Sequence, residues 1–249
     1  ALINHICDHM KKAVTGEDQC ARCQHIINTT EEGTWCVKYW SNGTVKIKGS
    51  AFYPASTTFF GAVPLKEVLK KAGEKYLAVH VVRDPLTAFA SSFIYDQKGV
   101  DHDGAGKKEL EGLSTKDALR VKALDVKKLT QEILADHELA KGNPRVLEVR
   151  YEDFKSDYDG TVTKIFDFMT EGGHSDKTPL FVSMAARDDQ QRWQPSRMKQ
   201  NHVSDPEEEK RVIAAIRELC TEGDAAVADV LRPRSALGYG VECPGPNDA

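Results

Sequence analysis

YLAVHVVRDP, residues 76–85, decides the fold class. Tyr76 to Val82 is a nearly continuous apolar run rich in β-branched side chains, the mark of a strand buried on both faces of a parallel sheet. Arg83-Asp84-Pro85 ends the strand, and LTAFASSFIYDQ follows as a helix. Downstream, residues 99–113 are rich in Gly and Asp and read as a mobile surface loop. Ser114 caps a long helix running to about Leu139, with Leu119, Val121, Leu124, Val126, Leu129, Ile133 and Leu134 as its apolar stripe. Gly142-Asn143-Pro144 breaks it, and Arg145 to Arg150 (RVLEVR) is a second short strand.

Tyr151-Glu152-Asp153 comes next, then a helix patterned on Val162, Ile165, Phe166 and Met169. Residues 171–204 read as irregular and contain Arg187, Arg192, Arg197 and Lys199. Ser204 and Glu207 form a capping box for a helix over 206–220. The tail after Leu231 is rich in Pro and Gly and is expected to run extended over the surface through 232–249.

Upstream of the deciding strand, Pro64 opens a helix that ends at Gly73. Residues 51–63 are aromatic and irregular. TWCVK (34–38) and TVKIK (44–48) read as short strands around the hairpin-like turn Ser41-Asn42-Gly43. Leu2, Ile3, Ile6 and Met10 have helical spacing, so 1–40 is a cysteine-containing N-terminal helix and loop. Buried strands alternating with helices give an α/β, three-layer sandwich on a mainly parallel sheet. The 249 residues show no internal repeat or interdomain linker and are read as a single domain over 1–249.

Composition narrows the function classes. With 40% hydrophobic and 29% charged residues the chain is ordinary globular sequence. A formal net charge of −4 provides no global basic field for a nucleic-acid backbone, so any anion site must be local. No apolar run approaches the ~20 residues that span a bilayer. Cys7, Cys20, Cys23, Cys36, Cys220 and Cys243 are too sparse for a disulfide scaffold. Cys20-Ala-Arg-Cys23 has a zinc-like gap but no second pair at finger spacing, so no metal site is assigned. A disulfide among the N-terminal cysteines and plain thiols both remain open. Asn28-Thr-Thr and Asn42-Gly-Thr match the glycosylation acceptor pattern and tilt the compartment, Golgi lumen or cytoplasm, toward the secretory pathway.

In a parallel α/β sheet, ligands bind just beyond the carboxyl ends of the strands. Arg83 leaves the first strand at that edge, and Ser91 lies two helical turns into the next helix on a side Arg83 can share. An arginine fork plus a hydroxyl suits a cluster of phosphate oxygens. The competing reading of Arg83 is a surface pair with Asp84 or Asp96. Tyr151 emerges at the second strand end, where its ring can stack on a planar base.

At these residues the chain resembles the sulfotransferases that use 3′-phosphoadenosine 5′-phosphosulfate (PAPS). Arg83, Asp84, Pro85 and Ser91 reproduce the family's strand, Arg-Asn/Asp-Pro turn, and serine eight residues after the arginine. Tyr151, Glu152, Asp153 and the stretch KIFDFM match its strand ending in Tyr-Glu-Asp and the amphipathic helix behind it. The resemblance spans about residues 40–170. It implies a P-loop nucleotide-kinase-like sulfotransferase fold, with Arg83 and Ser91 on the 3′-phosphate and Tyr151 on the adenine side. It also implies PAPS as sulfuryl donor, a hydroxyl-bearing acceptor with carbohydrates among the candidates, and no need of a metal or redox cofactor; the net charge is what argues against a nucleic-acid partner.

SRMKQNHVS loosely resembles the family's late basic loop, which places Arg197 and Lys199 over the cofactor phosphate. The family's Pro-Lys-Ser-Gly-Thr-Thr loop, whose amides cradle the phosphosulfate, is not found. YPASTT (53–58) lacks its lysine and glycine, so an N-terminal truncation that removes the loop and its strand is the expectation. Residues 44–48 then become the second sheet strand, with Lys48 at its end to hold a sulfuryl oxygen where the family often has a histidine. His80 lies mid-strand and reads as a buried structural histidine, and His102 as a solvated loop residue. The alternatives are a non-catalytic nucleotide-binding fragment and another phosphate-loop transferase or kinase. A GxxxxGK[ST] motif would favour the kinase, and none is present.

Overall fold

The computed structural model describes residues 27–28, 34–36, 54–55, 77–99, 105–173, 175–192, 205–240 and 243. The chain divides into two compact units. One comprises Ala1–Val82 with Asp136–Trp193, and the other Arg83–Ala135 with Gln194–Ala249.

In the first unit, β1 (Ile27–Asn28) pairs antiparallel with β2 (Thr34–Cys36). The strand expected at 34–38 therefore exists, but its partner is 27–28. The expected partner at 44–48 lies outside the described residues. A second sheet runs β3 (Pro54–Ala55), β4 (Ala78–Val82), β5 (Val146–Arg150), all parallel, with β4 in the centre. The central strand and its β5 neighbour follow the sequence reading. The other neighbour is Pro54–Ala55, within a stretch read as irregular. A two-residue strand has no periodicity to detect, and a proline is tolerated at a strand's first residue.

Every β4 residue is buried, as expected for a two-sided central strand. Val79 and Val81 pack with Val149 of β5 against α5 (Tyr158–Met169) and α6 (Thr178–Ala185). α5 presents Val162, Ile165, Phe166 and Met169 to that core, the four residues its sequence pattern marks. Phe166 stacks on Phe181 of α6 with ring centroids 4.7 Å apart. Tyr158, also buried, donates its hydroxyl to the Ala185 carbonyl at 3.0 Å.

Between β5 and α5 lies α4 (Tyr151–Ser156), tied at its start by Asp153 Oδ2, which accepts from the Arg150 amide. α6 corrects the expectation that 171–204 is irregular. Pro179 sits in its first turn, where the missing N–H costs nothing, but two turns are too short for a clear stripe.

The second unit holds α1 (Pro85–Lys98), α2 (Ala105–Leu110), the first part of α3 (Thr115–Ala140), α7 (Pro206–Thr221), α8 (Ala225–Leu231) and α9 (Pro233–Ala236). Its core gathers Phe89, Phe93 and Ile94 of α1, Leu119 of α3, Ile216 of α7 and Val230 of α8. α1 starts abruptly because Asp84 Oδ1 accepts the Leu86 amide at 2.9 Å and Pro85 fits the first turn. It ends at Gly99, whose φ of 60° is left-handed and therefore suits glycine.

α2 lies inside the segment read as a loop, and its Leu110 is buried in this core. α3 starts as expected, with Ser114 Oγ accepting the Asp117 amide. The cap of α7 is Asp205 rather than Ser204. Its carboxylate accepts the amides of Glu207 and Glu208, and those bonds hold its pKa below the usual carboxylate value.

The tail is not simply extended. α9 is a helical turn, Arg234 and Leu237 are buried, and Cys243 forms a disulfide with Cys220 of α7. A buried arginine in a Pro- and Gly-rich tail escapes a local reading because its partner is distant in sequence. The N-terminal cysteines Cys7, Cys20 and Cys23, the helices expected at 2–14 and 64–73, and His102 lie outside the described residues.

Candidate functional site

β4 and β5 are parallel and paired in register up to Val82 opposite Arg150, so both strands end at one edge of the sheet. Arg83 and Tyr151 are the next residues along the chain from those two ends.

Arg83 folds back onto the first turn of α1. Its Nε donates to Thr87 Oγ1 at 3.2 Å and its Nη2 to the Thr87 carbonyl at 3.1 Å. Thr87 Oγ1 donates in turn to the Asp84 carbonyl. Nη2 also lies 3.8 Å from Glu209 Oε1 of α7, and the arginine side chain is 23% exposed. Thr87 and Ser91 are one helical turn apart, so they share a face of α1. Ser91 is half-buried on that face. The Thr87 hydroxyl spends its one proton on the Asp84 carbonyl and braces Arg83 as an acceptor, so the side chains here whose chemistry suits an oxyanion are Arg83 and Ser91.

The competing partners for Arg83 are engaged elsewhere. Asp96 pairs with Lys122 at 2.5 Å. Asp84 accepts a two-pronged bond from Arg234, 2.6 Å from Nε to Oδ1 and 2.8 Å from Nη2 to Oδ2. An acidic partner that the structure does give Arg83 is Glu209, which the sequence reading did not name.

In the first unit, Tyr151 opens α4 and is packed at the margin of the apolar core. The Lys155 ammonium lies 5.4 Å from its ring centroid, a cation–π spacing that leaves the aromatic ring half in the core. The opposite face of β4 carries a polar cluster. His80 is fully buried, and its Nδ1 lies 2.9 Å from Glu148 Oε2, its register partner on β5. His137, near the end of α3, places Nδ1 2.8 Å from the same oxygen. Burial pushes the Glu148 carboxyl up, but the hydrogen bonds from His80 and His137 outweigh it and hold the pKa below its ordinary value. This matches the structural role expected of His80.

Lys48, Arg197 and Lys199 lie outside the described residues. Sequence reasoning missed Thr87, Glu209 and Arg234. Thr87 was within reach, because 83, 87 and 91 are spaced by four. Nothing local points to Glu209 or Arg234. Among the described residues no group of three or more His, Cys, Asp or Glu side chains is arranged to hold a metal ion. None of the described helices is long and apolar enough to cross a membrane.

The sequence pattern of the Sulfotransferase family matches residues 56–171. That span is a little under half of the 249 residues and includes Arg83, Thr87, Ser91 and Tyr151. Over residues 56–171 the chain is therefore similar to that family. The match opens at Ser56, directly after β3. Among solved structures, mouse sulfotransferase SULT7A1 complexed with PAP is similar at 14% identity, covering 75% of this chain and 80% of that chain, with a TM-score of 0.35. At that score the likeness fixes neither the fold nor the site. No curated protein matches the chain.

Proposed function

We propose that this protein transfers a sulfuryl group from PAPS to a hydroxyl acceptor, with carbohydrates among the candidates. The observation that carries the reading is Arg83 braced on Thr87, with Ser91 one turn further along the same helix, all within the span matched by the family. The donor set suits the cofactor: an arginine braced on Thr87 and the Ser91 hydroxyl one turn further along α1 are the chemistry that binds the oxygens of a 3′-phosphate. Arg83 and Ser91 would hold that phosphate, and Tyr151 would take the adenine side.

PAPS supplies the sulfuryl group, and transfer by in-line displacement depends chiefly on positioning and charge stabilisation. In the fuller reading Lys48 holds a sulfuryl oxygen, Arg197 and Lys199 close over the cofactor phosphate, and the fold is a three-layer sandwich of the phosphate-loop class. The parallel order β3-β4-β5 and the helices α4 and α5 that follow β5 support that fold class.

Transfer of radiolabelled sulfate from PAPS to a panel of hydroxyl acceptors tests the activity. Labelled product that disappears in Arg83→Ala supports the reading. A second reading is a non-catalytic nucleotide-binding protein, favoured by the segment after β3, Ser56-Thr57-Thr58, which has no lysine to hold the transferring group. Tight binding of adenosine 3′,5′-bisphosphate without transfer to any acceptor would favour it.

A further inference from the structure

Asp84 is held from two sides. Its Oδ1 accepts the Leu86 amide at 2.9 Å, which starts α1, and both carboxylate oxygens accept from Arg234, 150 residues away. The two side chains are only 6% and 13% exposed. Arg234 is itself well anchored. It sits on α9, directly behind α8, whose Val227, Val230 and Leu231 are buried in the core. The Tyr239 amide closes a turn on the Arg234 carbonyl at 2.8 Å, and the Cys220–Cys243 disulfide ties down the chain beyond.

A buried ion pair of this kind is weak evidence for stability, because desolvation offsets most of its attraction. Its geometric consequence is firmer. The fork fixes the carboxylate in one orientation, and that carboxylate defines the turn from which Arg83 departs. It also neutralises the anion next in sequence to Arg83. Without Arg234 the carboxylate would lose the two-pronged bond that fixes its orientation.

We infer that Arg234 is a positioning residue for Arg83: by clamping Asp84 it fixes the strand-to-helix turn that sets where the Arg83 side chain stands to meet a 3′-phosphate. The inference rests on the reading of Arg83 as a phosphate ligand. It assigns no contact between Arg234 and the nucleotide. Released from Arg234, the Asp84 carboxylate would no longer hold that turn in one geometry, and Arg83 would be placed less well for the phosphate.

The test measures calorimetric affinities for adenosine 3′,5′-bisphosphate and for 5′-AMP in four proteins: wild type, Arg83→Ala, Arg234→Met and Arg234→Lys. Losing the clamp should weaken the bisphosphate by about tenfold in Arg234→Met, the scale of one charge-assisted bond. Binding of 5′-AMP should change by less than about twofold, since it lacks the 3′-phosphate that Arg83 serves. Arg234→Lys keeps the charge but not the fork, so it should fall between wild type and Arg234→Met. A purely structural role would weaken both nucleotides together and overturn the inference. A bisphosphate preference equal to wild type in both Arg234 variants, alongside its loss in Arg83→Ala, would overturn it while leaving the phosphate reading intact. No change in Arg83→Ala would remove both. If Arg234→Met does not fold, Arg234→Lys decides: a wild-type preference there overturns the inference.

Discussion

Glu209 Oε1 of α7 lies 3.8 Å from Arg83 Nη2, so an acidic side chain stands beside the arginine that the site offers to an anion. The two side chains are both partly buried, which leaves their interaction less screened than one on an open surface. A phosphate bound at Arg83 brings negative charge next to Glu209. The carboxylate therefore opposes binding twice, by holding the guanidinium and by repelling the ligand.

Glu209→Gln should accordingly tighten adenosine 3′,5′-bisphosphate by up to about fivefold, the scale of a partly exposed ion pair. Calorimetry at low salt reads the effect most clearly, because added salt screens the repulsion. Weaker binding in this variant would mean that Glu209 helps to orient Arg83 instead of competing for it.

Glu148, with His80 and His137, makes stability depend on pH. Its folded pKa lies below the ordinary value of 4.5, so the ionised carboxylate is favoured by folding. That contribution is fully present above about pH 4.5 and is lost as pH falls through the folded pKa. Glu148→Gln should be less stable than wild type by about 1.5–3 kcal/mol near neutral pH, the range for hydrogen bonds to charged groups. The gap should narrow as the pH falls below about 4.5. Urea unfolding of both proteins across this range checks the sign, and a gap that widens in acid contradicts it.

The Cys220–Cys243 disulfide closes a loop with a sequence separation of 23. A loop of that size corresponds to about 3 kcal/mol in the chain-entropy account. Cys243→Ser should lower the melting temperature, and a reductant should lower it in wild type but not in the variant. Equal melting of wild type with and without reductant would show that the bond adds nothing to stability.

Long patterns carried the sequence reading, and distant partners escaped it. β4 was legible because its apolar run spans the whole strand, and α5 because Val162, Ile165, Phe166 and Met169 keep helical spacing. β3 is two residues long and α6 two turns, both below the length at which a period appears. Arg83 and Ser91 were identified by their place after a buried strand. Thr87 completes the same spacing, yet a threonine in a helix's first turn looks ordinary until Arg83 is seen bonded to it. Asp84 meets Arg234 across 150 residues and Arg83 meets Glu209 across α7, and no local rule of sequence brings such residues together. The disulfide shows the same limit, since spacing cannot decide which of six cysteines pair.

The central claim is that Arg83, with the Ser91 hydroxyl of α1, binds the 3′-phosphate of a nucleotide. Isothermal calorimetry of wild type and Arg83→Ala with adenosine 3′,5′-bisphosphate and with 5′-AMP tests it most directly. Wild type should prefer the bisphosphate, and Arg83→Ala should lose about 1.5–3 kcal/mol of that preference, the worth of a charge-assisted bond. Equal affinity of the wild-type protein for the two nucleotides would contradict the claim.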